Sequence, residues 1–198
     1  MNFSTVEDTF PWIDSVIPKN GNLIEFGVYH GDCMARLNIA ADSICKPFKE
    51  IWGFDSFAGL PENNEGNPDW VAGAFNVVRD DDFDSAEQAM KFIRARVGRE
   101  VNFVKGWFDQ TTTPELGKKL SGSASYIHID CDLYSSSVTA LNWLFKYRVP
   151  KVYSIIRYDD WISTAYNAGQ RLAHRQIEQK YEIDFMQLSE NVFMVRSY

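Results

Sequence analysis

The sequence predicts an α/β domain of three layers, with helices on both faces of a mostly parallel sheet. Two observations lead there. Short apolar runs alternate with helix-like stretches through five units, and a strand pair closes the chain. The runs are continuously apolar, as strands covered on both faces must be. With 198 residues, 45% hydrophobic and 15% aromatic, one domain over 1–198 can bury a full core without staples, and intrinsic disorder is excluded.

The elements follow in order. Asn22–Phe26 (NLIEF) is an apolar run ending at a glycine and reads as a buried strand. Asp32–Ile44 places Met34, Leu37, Ile39, Ala40 and Ile44 at helical spacing. Ile51–Phe54 is a second strand. Gly59–Asp82, rich in Gly, Pro, Asn and Asp, is a long loop, and loops of that length in compact domains are usually functional. Ser85–Val97 is a helix with Asp84 as the expected N-cap. Val101–Lys105 is a third strand, and Thr113–Leu120 a short helix with Pro114 near its first position. Ala124–Ile129 is a fourth strand. Ser136–Tyr147 is a helix burying Val138, Leu141 and Leu144, and Lys151–Ile156 is a fifth strand. Ala165–Tyr181 is a long polar helix, followed by strands at Glu182–Gln187 and Val192–Arg196. Tyr126, Tyr153, Trp143 and Phe145 are expected in the core, and His174 on the surface.

Composition excludes several classes. A net charge of −7 and a pI near 5.0 disfavour binding to a nucleic-acid backbone. No apolar run reaches the roughly 18–20 residues of a membrane helix. The N-terminal residues lack a basic start and an apolar stretch, so no secretory signal is visible. Cys33, Cys45 and Cys131 form neither a disulfide framework nor a zinc set. A cytoplasmic, reducing location is expected.

In such sheets ligands sit beyond the carboxyl ends of the strands. The first strand ends in Glu25-Phe26-Gly27-Val28-Tyr29-His30-Gly31, a glycine-bearing turn but not the G-x-G-x-x-G dinucleotide fingerprint. Burying Glu25 is costly unless something pairs with it. The second strand ends at Asp55, which suits either ribose hydroxyls or a turn cap. The fourth ends in His128-Ile129-Asp130-Cys131-Asp132, the fifth in Tyr158-Asp159-Asp160-Trp161. Four carboxylates at two neighbouring strand ends would repel each other. A hard divalent cation relieves that, since Mg²⁺ prefers oxygen ligands. Any one of them read alone is a helix cap, with Asp132 or Ser135 suited to cap the next helix. His128 and Asp130 share a face by alternation, and His128 reads best as a satisfied core residue. His30 reads as a loop residue and Asp80–Asp82 as solvated loop. Trp70 and Phe75 suit either covering a substrate or packing.

Five stretches carry a family resemblance: LIEFGVYHGDC (23–33), IWGFDSFAGLPE (51–62), FVKGWFDQT (103–111), IHIDCDLYSSS (127–137) and YDDW (158–161). With these the chain resembles class I S-adenosylmethionine (SAM)-dependent methyltransferases, specifically the macrocin O-methyltransferase (TylF/MycF-like) family. The resemblance implies a Rossmann-like seven-stranded sheet whose last strand is antiparallel. It places Glu25, Gly27 and Gly31, with Val28 and Tyr29 in the same turn, around the methionine part of the cofactor. It gives ribose to Asp55, with Ser56 and Phe57 beside it, and puts Gly106, Trp107 and Phe108 near adenine. Asp130, Asp159 and Asp160 would hold Mg²⁺, Asp130 also touching cofactor and reaction, and Asp132 would be the general base. The acceptor would be a hydroxyl of a sugar or other polyhydroxylated small molecule. The sequence departs from the family at Arg157, which stands where the pattern is apolar and could pair an aspartate. A metal-independent methyltransferase is the reading this motivates. About twenty residues precede the first strand, so the family's N-terminal lid is not expected. A short N-terminal helical segment over 1–20, a non-catalytic SAM-binding role and a homodimer are the remaining expectations.

Overall fold

The computed structural model describes residues 17–63, 65–163, 165 and 167–198. The expected helical segment over 1–20 lies outside them apart from its last four residues, which form a bend and turn.

The strands are β1 (Asn22–Phe26), β2 (Ile51–Asp55), β3 (Val101–Lys105), β4 (Ala124–Ile129), β5 (Pro150–Tyr158), β6 (Asp184–Ser189) and β7 (Val192–Ser197). They form one sheet in the order β3-β2-β1-β4-β5-β7-β6. The first five are parallel, and β7 is antiparallel to both β5 and β6. The helices are α1 (Asp32–Ser43), α2 (Val77–Asp80), α3 (Ala86–Val97), α4 (Phe108–Thr111), α5 (Pro114–Leu120), α6 (Tyr134–Lys146) and α7 (Gly169–Tyr181).

Alternation along each strand feeds two cores. Leu23, Ile51 and Val101 pack with Met34, Leu37 and Ile93 of α1 and α3. Ile24, Phe26, Phe54 and Ile127 pack with Leu141 and Leu144 of α6 and Ile177 of α7. Each such side chain, fully buried, contributes roughly 1.5–3 kcal/mol. Among the described residues no helix is long and apolar enough to cross a membrane.

Several local expectations are corrected. Ser85, not Asp84, caps α3: its hydroxyl accepts from Gln88 N, and Gln88 Oε1 accepts from Asp84 N. Ile39 is 65% exposed, because it falls on the outer face of α1. Tyr153 is exposed, at a left-handed backbone position in β5, whereas Tyr126, Trp143 and Phe145 are buried. The last helix begins at Gly169 rather than Ala165.

His174 is the largest correction, since it is buried. The rings of Phe193, Phe185, Tyr158 and Trp161 surround it, with centroids 4.3 to 5.4 Å away. The Tyr158 hydroxyl lies 2.9 Å from Nδ1. Burial pushes the ring down to about 3, with Arg175 adding to the effect. The unfolded chain therefore binds a proton near pH 6.5 that the native state refuses. Stability contributed by the neutral ring is complete above that pH and falls toward pH 3, by up to about 1.4 kcal/mol per pH unit. Urea unfolding of the wild type and His174→Phe at pH 7, 5.5 and 4.5 checks this. The gap between them should close or reverse as pH falls; a gap independent of pH would contradict the assignment.

Candidate active site

The ladder runs one rung past the strands and fixes the rim of the site. Gly27 N donates to Phe54 O at 2.9 Å, Asp130 N to Phe26 O at 2.8 Å, Gly106 N to Asp55 O at 2.9 Å, and Asp159 N to Ile129 O at 3.0 Å. Gly27 is obligatory: its φ is +86°, and an added Cβ would lie 1.6 Å from Asp130 O. Three non-glycine residues just past strand ends also have left-handed backbones, namely Tyr29, Phe57 and Asp132. Such strain collects where a site needs defined geometry.

Above this rim opens a cavity of about 820 Å³. Gly27, Tyr29, Asp55 and Ser56 line one part of it, and Gly106, Trp107 and Phe108 another. Asp130, Asp132, Asp159 and Asp160 line the end toward β4 and β5. Glu25, Val28, Gly31 and Phe57 do not line it. Val28 and Phe57 turn into the core, Gly31 abuts Ile93 at the start of α1, and Glu25 lies buried beneath.

Asp55 serves the turn as well as the cavity. Its Oδ2 accepts from Val28 N at 2.7 Å and Tyr29 N at 3.0 Å, and its Oδ1 accepts from Phe57 N at 2.6 Å. The capping reading is realised, and Asp55 also lines the cavity. It therefore couples the turn after β1 to the end of β2.

One rung across three strands carries Glu25, His128 and Arg157, which are register partners. All three are buried. His128 Nδ1 lies 2.8 Å from Glu25 Oε1, and His128 Nε2 lies 2.6 Å from an Arg157 guanidinium nitrogen. Two demands compete at this ring. Burial opposes its charge, while Asp159 and Glu25 draw it up to about 9. A guanidinium can only donate, however, so Nε2 accepts and the proton resides on Nδ1, toward Glu25. Arg157 also donates to Asp159 Oδ1 at 2.8 Å. The Arg157 guanidinium, by its charge and this hydrogen bond, holds Asp159 well below the usual carboxylate range. The pairing expected of Arg157 is thus present, on Asp159.

The other three aspartates are pushed the opposite way. Burial and neighbouring carboxylates raise Asp132 to about 7 and Asp160 to about 6, and burial raises Asp130 well above its ordinary value. Asp160 Oδ2 accepts from Asp132 N and Gln170 Nε2. Among the described residues no donor reaches the side chains of Asp130 or Asp132.

The geometry bears on two groups, the cofactor and a divalent cation. For the cofactor, Glu25 Oε2 is buried without a hydrogen-bond partner beneath the glycine turn, and the backbone of Gly27 lines the cavity above it; the unpartnered oxygen fits a ligand bearing donors. For Mg²⁺, the donor set is all carboxylate oxygen, and one or two carboxylates with waters suffice. Asp130 and Asp160 meet that requirement, while Asp159 is already neutralised. Among the described residues, ligand atoms of Glu25, Cys33, His128 and Asp130 lie within 4.8 Å of one another. That set does not suit a metal, because Glu25 and His128 are bonded together and burial keeps the Cys33 thiol protonated.

Glu65 is a residue that sequence reasoning missed. α6 has no side-chain cap of its own, neither Asp132 nor Ser135 filling the role. Instead Glu65, from the long loop, accepts from Tyr134 N at 2.6 Å, Ser135 N at 2.9 Å and Ser135 Oγ at 2.8 Å. The loop thereby becomes a strap over the cavity, bringing Leu60, Trp70 and Phe75 to its wall. Asp80 and Asp81 are also engaged rather than merely solvated: Tyr29 Oη donates to Asp80, and His30 Nε2 lies 3.1 Å from Asp81. Glu65→Ala should cost about 1–2 kcal/mol, as for a lost helix cap. It should also speed proteolytic cleavage within residues 59–82 severalfold. Unchanged cleavage would show that the strap is held by other contacts.

The sequence model of the macrocin-O-methyltransferase (TylF) family matches residues 12–186. Among solved structures, the O-methyltransferase NovP aligns with a TM-score of 0.66 at 19% identity, over 97% of this chain and 79% of that one. The calicheamicin methyltransferase CalS11 aligns at 0.68 and 19%, over 96% and 76%. A CmcI structure described as its Mg-SAM form aligns at 0.51 and 11%, over 98% and 72%. No curated protein matches the sequence.

Proposed function

The chain belongs to the macrocin O-methyltransferase family and is a SAM-dependent methyltransferase, and on that premise we propose that it methylates a hydroxyl of a sugar or similar polyhydroxylated molecule with Mg²⁺ bound. The observation that carries this reading is the placement of a raised, unpartnered Asp132 beside Asp130 and Asp160 in one cavity with the glycine turn and Asp55.

SAM supplies the electrophilic methyl group, and Mg²⁺ would lower the acceptor hydroxyl's pKa and orient it. The chain's own residues do the rest. Gly27 and Tyr29 shape the cofactor's seat, with Val28 and Gly31 setting the turn and Glu25 beneath it. Asp55 takes ribose, with Ser56 beside it and Phe57 packing behind. Gly106, Trp107 and Phe108 offer the adenine surface. Asp130 and Asp160 would hold the cation, with Asp159 kept in place by Arg157. Asp132 accepts the hydroxyl proton during attack. Alignment of oxygen, methyl and sulfur is then the main remaining requirement. The CmcI neighbour described with Mg and SAM supports the cation. Cys33, Cys45 and Cys131 are free thiols, which suits a reducing cytoplasm.

The ion pair of Arg157 with Asp159 favours a second reading, a metal-independent enzyme in which that arginine supplies the fixed positive charge. Transfer of labelled methyl from SAM to a panel of glycosides, with and without EDTA, separates the two. Loss of activity with EDTA and recovery with Mg²⁺ supports the first. Activity unaffected by EDTA and by Asp130→Asn supports the second.

A further inference from the structure

We infer that Gln170 is a positioning residue: from the first turn of α7 its carboxamide aims the carboxylate of Asp160, and through it sets the affinity of the site for a divalent cation. This rests on the Mg²⁺ reading proposed above. It concerns a side chain that lies behind the cavity wall rather than on it.

Gln170 heads the buried stripe of α7 and is followed on it by Ala173, His174 and Ile177. It is fully buried, and a polar side chain there is costly unless it is satisfied. Its amide is used in full. Oε1 accepts from Asp160 N at 2.9 Å, and Nε2 donates to Ile129 O at 3.1 Å and to Asp160 Oδ2 at 3.2 Å. One planar group thus joins the end of β4, the end of β5 and the start of α7. Its orientation is fixed, because the opposite one would set NH₂ against an amide N–H and oxygen against two acceptors. Methionine would fill the space with neither function, and an ionised glutamate has no donor.

The grip falls on Asp160 twice, at its backbone N–H and at its carboxylate, so the side chain is held at both root and tip. Asp132 N adds a second donor to the same Oδ2 at 3.2 Å. Gln170 therefore also steadies, through Asp160, the loop that carries the proposed base. Among the described residues no donor reaches Oδ1, which leaves that oxygen for a ligand. Hydrogen bonds to the back of a metal-ligating carboxylate orient it, and losing them costs about ten- to a hundredfold in metal affinity. Packing α7 on the sheet calls only for apolar groups, which Ala173 and Ile177 supply on the same stripe.

The test is Mn²⁺ binding to the full chain saturated with S-adenosylhomocysteine, read from the electron paramagnetic resonance signal of the free ion. Gln170→Met keeps the size of the side chain and removes its three hydrogen bonds. It should weaken Mn²⁺ binding about ten- to a hundredfold, with S-adenosylhomocysteine affinity unchanged. Gln170→Ala, whose smaller side chain admits water to the freed backbone groups, should show the same loss and serves if Gln170→Met does not fold. Ile177→Ala loosens the same helix away from Asp160 and should leave Mn²⁺ affinity unchanged. Wild-type Mn²⁺ affinity in the Gln170 variants, or an equal loss in Ile177→Ala, overturns the inference. A wild-type chain that binds S-adenosylhomocysteine but no Mn²⁺ would instead remove the Mg²⁺ reading, and this inference with it.

Discussion

Asp132→Asn is expected to lower the methyl-transfer rate by roughly a hundred- to ten-thousand-fold, the usual contribution of a positioned base. Cofactor affinity should be little changed. The side chain enters the cavity from a left-handed backbone position whose amide is held by Asp160. Asparagine tolerates that conformation and matches aspartate in shape, so the loop should keep its form. What is lost is the carboxylate that burial and neighbouring aspartates raise to about 7, able to take a proton near neutral pH. Single-turnover kinetics with labelled SAM, paired with S-adenosylhomocysteine titration, measures both halves. A variant with the wild-type rate would exclude Asp132 as the base.

Asp55→Asn is expected to weaken cofactor binding about thirty- to a thousandfold. Asp55 is an acceptor-only group receiving three backbone amides. Asparagine offers one acceptor oxygen and turns an NH₂ toward amides that also donate. Hydrogen bonds to a charged group contribute about 1.5–3 kcal/mol each, and an amide left facing a donor adds its own cost. The turn after β1 would lose its tie to β2, and the ribose contact would be lost with it. Wild-type affinity in this variant would show that Asp55 serves neither the turn nor the nucleoside.

The fold was legible because parallel strands buried on both faces are apolar runs, and runs such as Asn22–Phe26 and Ala124–Ile129 appear in the structure with the same bounds. The acidic ends of β4 and β5 were legible because each is a local string of residues. Arg157 stood out as a charge in an apolar strand, and its pairing with Asp159 two residues on is short-range. Its contact with His128 was not legible, since it depends on the register of β4 against β5. Glu65 was missed for a similar reason: it lies 69 residues before the amide it caps, in a loop with no periodicity. His174 misled because α7 is mostly polar, and its one buried stripe is set by the rings of β5, β6 and β7 packing against it.

The central claim is that the carboxyl ends of these strands form a working SAM site. Calorimetric titration of the wild-type chain with S-adenosylhomocysteine, with and without Mg²⁺, tests it most directly. The account predicts saturable one-to-one binding that is sharply weakened in Asp55→Asn and preserved in Asp132→Asn. No measurable binding by the wild type under either condition would contradict it.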